Sequence, residues 1–167
     1  MADGVGAARA ECLGHTFADA SLLATALRHA SHDSVVRGGA SSNERLAWLG
    51  DAVIEQAVSL LLYARYPVLT NGQLTMLRAR YVSDVHLARL AESKARLTSR
   101  LSAAPPSVAF EPHVLASALE AVIGAIQLDG GDVMAAVELV FAGEPEAAAQ
   151  PREGRSSSQP PPRRLRL

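Results

Sequence analysis

Two short runs of this sequence set carboxylates at spacings that could do chemistry. In the first, Glu44, Ala47, Asp51 and Glu55 recur every three or four residues. On a helix turning 100° per residue they form one stripe, roughly opposite an apolar one of Leu46, Leu49, Gly50, Val53, Ala57, Leu60 and Leu61. Glu44 and Asp51 are almost two whole turns apart, so both face the same way about 10 Å apart along the axis. In the second run, Ser117, Glu120 and Gly124 share one face, and Leu115, Leu119, Val122 and Ile126 share the other. Gly124, one turn after Glu120, leaves room for another backbone or a ligand to approach closely, a reason to tolerate its cost to the helix. If the two faces meet, Asp51 and Glu120 converge on a space suited to a hard divalent cation such as Mg²⁺. Each face alone is equally a solvated acidic surface.

The elements that must position these residues follow from capping and breaker signals. Asp19 caps a helix over 21–29, and 31–42, with Gly38-Gly39 and several Ser, reads as a loop. Asn43 opens a long helix to about Tyr66, stopped by Pro67. Thr70 or Asn71 starts a helix to about Val82, and Ser83 or Asp84 another to about Lys94. Ala103-Ala104-Pro105-Pro106 is a break, Glu111 to Leu128 the next strong helix, and Val133 to Phe141 the last. No segment alternates convincingly with period two. The expected fold is all-α.

Composition agrees. Of the 167 residues 31 are Ala, and aromatic residues contribute only 4%, which favours helices over sheets. No apolar run approaches the ~20 residues of a bilayer span, so no membrane is expected. The start has neither a signal peptide's apolar core nor a transit peptide's acid-poor pattern. An intracellular site follows, whether cytoplasm or an organelle. Cys12 is the sole cysteine, excluding an internal disulfide framework, and the five His show no metal-ligand spacing. The expected organisation is a short N-terminal tail (1–10), one domain (11–142) and a disordered Pro/Arg-rich tail (143–167). The formal charge of −1 is unevenly spread: residues 151–167 hold five Arg and one Glu, the other 150 residues 11 basic and 16 acidic side chains.

The run Asn43-Glu44-Arg45-Leu46-Ala47-Trp48-Leu49-Gly50-Asp51-Ala52-Val53 resembles the signature helix of the ribonuclease III family, usually NERLEFLGDAV. The resemblance extends, in order, to three further segments. His15-Thr16-Phe17 through His29 and Ser31 is similar to the family's opening helix, and Gly72 through Ala88 to its middle segment. Leu115 through Ile126, followed by Leu128-Asp129-Gly130-Gly131, is similar to its closing helix. Together they span about Leu13 to Phe141.

The resemblance implies an all-α endonuclease domain that dimerises and cuts double-stranded or structured RNA, such as an rRNA precursor, with Mg²⁺ or Mn²⁺. It leaves 5′ phosphate and 3′ hydroxyl ends. Of the family's four metal-site carboxylates, Asp51 and Glu120 are kept as catalytic and metal-ligating residues. Ala47 and Ser117 stand at the other two positions. Glu44 matches a further acidic position, on the same stripe but farther from the cation, and Ser117 stands beside the ligands. Trp48, with Leu49, falls at the family's dimer contact. Arg78, Arg80 and Lys94 are candidate RNA contacts. A homodimer is expected, or a heterodimer with a related subunit. No double-stranded-RNA-binding domain fits this length, and the tail arginines could supply part of the missing attraction.

The two missing carboxylates leave two readings. One is a catalytically inactive ribonuclease III fold kept as a subunit of a ribonucleoprotein, as in mitochondrial-ribosome or RNA-editing members. The other is a reduced but active site. The Mini-III class is similar to this chain at the changed positions: its signature helix reads close to LAYIGDAV and its closing helix close to STAFEAL, with the Asp and Glu retained. This chain also keeps an opening helix that Mini-III proteins usually lack.

Overall fold

The stretch 112–128 is apolar on nearly every side, and a helix of that kind has to be buried. In the computed structural model, which describes residues 10–143, it becomes the axis of the core. The elements in chain order are β1 (Glu11–Cys12), β2 (His15–Thr16), α1 (Ala20–Ala26), α2 (Asp33–Val36), α3 (Glu44–Arg65), α4 (Asn71–Tyr81), α5 (Asp84–Ala95), α6 (Pro112–Leu128) and α7 (Val133–Phe141). Leu119, Ile123 and Ile126 of α6 are wholly buried among Val58 of α3, Leu87 and Leu90 of α5, and Val137 and Val140 of α7. Ala118, Ala121 and Ala125 let those helices come close. Of the expected tails, 1–10 and 143–167, all but Ala10 and Gly143 lie outside the described residues.

The helix starts obey the local chemistry. Asp19 caps α1 by accepting from Ser21 N, and Asp132 caps α7 by accepting from Ala135 N. Thr70 and Gln73 form a capping box at α4. Asn43 departs from this pattern: it occupies the N-cap position of α3 in an αR conformation, and its side chain makes no capping bond.

Three features differ from the sequence expectations. Glu11–Cys12 and His15–Thr16 pair antiparallel through a Leu13-Gly14 turn with both residues at positive φ; two-residue strands are too short to show an alternation. The expected loop 31–42 contains one helical turn, Asp33–Val36. The buried face of α3 is Leu46, Ala47, Gly50, Ile54, Ala57, Val58 and Leu62, so Leu60 is exposed and Leu49 only half-buried. The stripe is rotated because α3 packs its small residues, Ala47, Gly50 and Ala57, onto α6. By length and composition alone the 22-residue α3 could span a bilayer; in this fold it lies along α6 in the core.

One buried anchor holds the N-terminal hairpin to the far end of α6. Asp129 accepts from Ala18 N at 2.8 Å and Asp19 N at 2.9 Å, and pairs with His15 Nε2 at 2.8 Å. The two backbone N–H bonds, then the His15 bond, hold its carboxyl below the usual range.

Candidate active site

The acidic faces of α3 and α6 meet where the two helices cross at glycines. A Cβ added to Gly50 would lie 1.8 Å from the carbonyl oxygen of Glu120, and one added to Gly124 would lie 2.3 Å from that of Leu46. Both obstacles are backbone, so only glycine permits this approach. The crossing places Asp51, one residue after Gly50, and Glu120, one turn before Gly124, on the wall of one cleft of about 510 Å³. Glu44, Ala47 and Ser117 line it too. Ala47 is buried and brings no charge, so the stripe read from the sequence is interrupted in its middle.

The cleft also holds residues that helix periodicity did not reveal. Asp84, the first residue of α5, adds a third carboxylate from another element. His113 lies one turn before Ser117 on the same side of α6, a spacing visible in the sequence. His29 and Asn43 line the cleft as well. Nothing in the sequence pairs Asp84 or His29 with Glu120, because tertiary packing brings them together.

Burial, then the negative charges of Asp51 and Asp84, push the Glu120 carboxyl up to about 7. The cleft is therefore a region of negative potential in which a carboxylate retains its proton near neutrality, an environment that favours a cation. Among the described residues no group of three or more His, Cys, Asp or Glu is arranged to enclose a metal ion. The donor set fits Mg²⁺ or Mn²⁺, hard cations held by one or two carboxylates and completed by water and phosphate, and not an all-protein cage.

The remaining sequence candidates lie elsewhere. Arg78 donates to Ser59 Oγ at 3.1 Å, Arg80 is exposed on α4, and Lys94 Nζ donates to the Ala142 carbonyl at 2.8 Å. None of the three lines the cleft. Trp48 is 80% exposed and borders both the cleft and an adjoining apolar hollow of about 700 Å³, lined also by Leu22, Leu46, Leu49 and Leu128.

Residues 44–131 match the ribonuclease III domain. The chain belongs to the ribonuclease III family. It is 44% identical over 124 residues to Ribonuclease 3 of Oleidesulfovibrio alaskensis, covering 72% of this chain and 54% of that protein. To Ribonuclease 3 of Dechloromonas aromatica it is 41% identical over 138 residues, covering 80% and 60%. The chain thus spans about half the length of such relatives. Among solved structures, the nuclease domain of ribonuclease III from Campylobacter jejuni superposes with a TM-score of 0.70 at 32% identity, over 80% of this chain and 92% of that one. A second Campylobacter jejuni structure, of that nuclease domain with flexibility in a region involved in dimer formation, gives 0.69 over 77% and 91%. The chain thus shares the all-α nuclease-domain fold expected of it.

Proposed function

We propose that this chain is a divalent-cation-dependent endoribonuclease that cuts double-stranded or structured RNA, including ribosomal RNA precursors, with a reduced carboxylate site. The observation that carries the reading is the shared cleft of Asp51 and Glu120 at the Gly50–Gly124 crossing. Asp51 and Glu120 would hold the cation, with Glu44 and the Ser117 hydroxyl beside them in the cleft. A bound Mg²⁺ or Mn²⁺ would supply an activated water and offset charge on the phosphate and leaving oxygen, giving 5′ phosphate and 3′ hydroxyl ends. With two ligating carboxylates in place of four, the site leans on the RNA phosphate for its remaining ligands and requires more Mg²⁺.

A second copy completes the enzyme in this reading. An exposed Trp beside an apolar hollow is an interface signature, and Trp48 with Leu49 would meet the same surface of a partner. The domain extends over 11–142, and the arginines of 151–167 add salt-sensitive attraction to RNA. Incubating the purified chain and its Asp51→Ala variant with labelled duplex RNA and Mg²⁺ tests the proposal: cleavage by the first and none by the second supports it.

A further inference from the structure

The cleft also carries two nitrogen-bearing side chains that the reaction outlined above does not use, those of His29 and Asn43. Asn43 is 2% exposed, yet its Nδ2 has no hydrogen-bond partner among the described residues. A buried N–H left unpaired is destabilising, so such a group calls for a partner that arrives from outside. Capping does not account for it. The Asn43 side chain makes no cap bond, and the Ser42 hydroxyl sits at the α3 N-terminus instead, donating to Glu44 at 2.7 Å.

His29 is held ready in a different way. The Ser31 backbone N–H donates to His29 Nδ1 at 3.2 Å, and Ser31 Oγ lies 2.8 Å from the same atom. Ser31 Oγ itself accepts from Ala104 N at 3.1 Å, so its proton is directed to the ring. Nδ1 is thereby the acceptor, which leaves Nε2 as the ring's N–H donor. Backbone bonds set the two residues side by side: Asn43 N donates to the Arg28 carbonyl at 2.9 Å, and His29 N to that of Ser102 at 2.9 Å.

We propose that His29 and Asn43 form a phosphate-holding wall, donating N–H bonds to an oxygen of the RNA phosphodiester beside the Asp51–Glu120 site. Among the described residues no Lys or Arg lines the cleft. A phosphate entering among Glu44, Asp51, Asp84 and Glu120 needs donors, and the Asn43 amide and the His29 ring bring N–H groups to the same cleft. The inference rests on the reading of this cleft as the nuclease site.

The test uses the full chain and three measurements: affinity for a short RNA duplex in Ca²⁺ with the RNA checked intact, Mn²⁺ affinity without RNA, and the melting temperature. Asn43→Leu keeps the branched outline without an unpaired N–H, and His29→Phe keeps a ring without its donor. Each variant is expected to weaken RNA binding by about tenfold or more while leaving Mn²⁺ affinity within about twofold. Asn43→Leu is also expected to melt no lower than the native chain. RNA affinity within about twofold of the native chain in both variants overturns the proposal, as does a loss of Mn²⁺ affinity in step with that for RNA. A native chain that binds RNA with this dependence but does not cut it in Mg²⁺ upholds the wall and removes the nuclease reading. A chain that cuts RNA and is indifferent to both substitutions does the reverse.

Discussion

Gly50 and Gly124 face one another across the α3–α6 crossing, each occupying space that a side chain would take from the other helix's backbone. The two acidic stripes become one cleft because of this pair. Glycine inside a helix is ordinarily about 1 kcal/mol worse than alanine, so a Gly→Ala change in open space would stabilise the chain.

Here the sign reverses. Gly50→Ala and Gly124→Ala should each destabilise the fold by about 2–4 kcal/mol, because neither the Glu120 nor the Leu46 carbonyl can move without displacing its helix. Urea denaturation measures this. A stability equal to or above that of the native chain would refute the close crossing.

Glu120 should trade stability for function. Its folded-state carboxyl is raised from 4.5 to about 7, so between those values the folded chain binds more protons than the unfolded one. Stability then falls as pH rises through that window, and the penalty is complete above 7. Glu120→Gln removes the ionisation. The variant should be more stable than the native chain by about 1–2 kcal/mol at pH 8, after allowance for water screening a half-buried group, and should lack that segment of pH dependence. Denaturation at pH 5 and pH 8 decides between this and a variant that is no more stable.

Ala47→Glu with Ser117→Asp restores the carboxylates that the resemblance marks as missing. The Mg²⁺ concentration for half-maximal cleavage should drop by about tenfold or more, since cation affinity follows the charge of the ligand set. Without cation the double variant should be less stable, as two more like charges enter the cleft. An unchanged or higher Mg²⁺ requirement contradicts the account.

Trp48 offers a test of assembly. Trp48→Ala should weaken self-association by about 100-fold, the scale of a buried aromatic anchor. Sedimentation of both chains across micromolar concentrations reads it. A native chain that stays monomeric, or a variant that dimerises equally well, rejects the interface.

Much of the architecture was legible in the residues. Val133–Phe141 has the bounds its pattern predicts, and Asp19 caps where expected. The long helices carry strong periodic and stop signals, which is why 44–65 and 112–128 were readable to within a residue or so. The rotation of the α3 stripe was not readable, because a wheel weighs Leu60 above Ala47, whereas close packing on α6 selects the smaller residue. The cleft was half legible: Asp51 and Glu120 lie on periodic faces and Asn43 heads the face of Ala47 and Asp51, but Asp84 and His29 join them only through tertiary contacts. The family resemblance marked Ala47 and Ser117 as departures, and no helix periodicity could have done so.

The central claim is that two carboxylates suffice for cleavage, and a single assay addresses it. The purified chain, Asp51→Asn and Glu120→Gln are incubated with the same end-labelled RNA duplex across a Mg²⁺ titration, with folding checked by circular dichroism. The account predicts defined cleavage by the native chain at elevated Mg²⁺ and a fall of about 100-fold or more in each folded variant. Cleavage that persists undiminished in Asp51→Asn, or no cleavage by the native chain at any Mg²⁺ concentration, contradicts it.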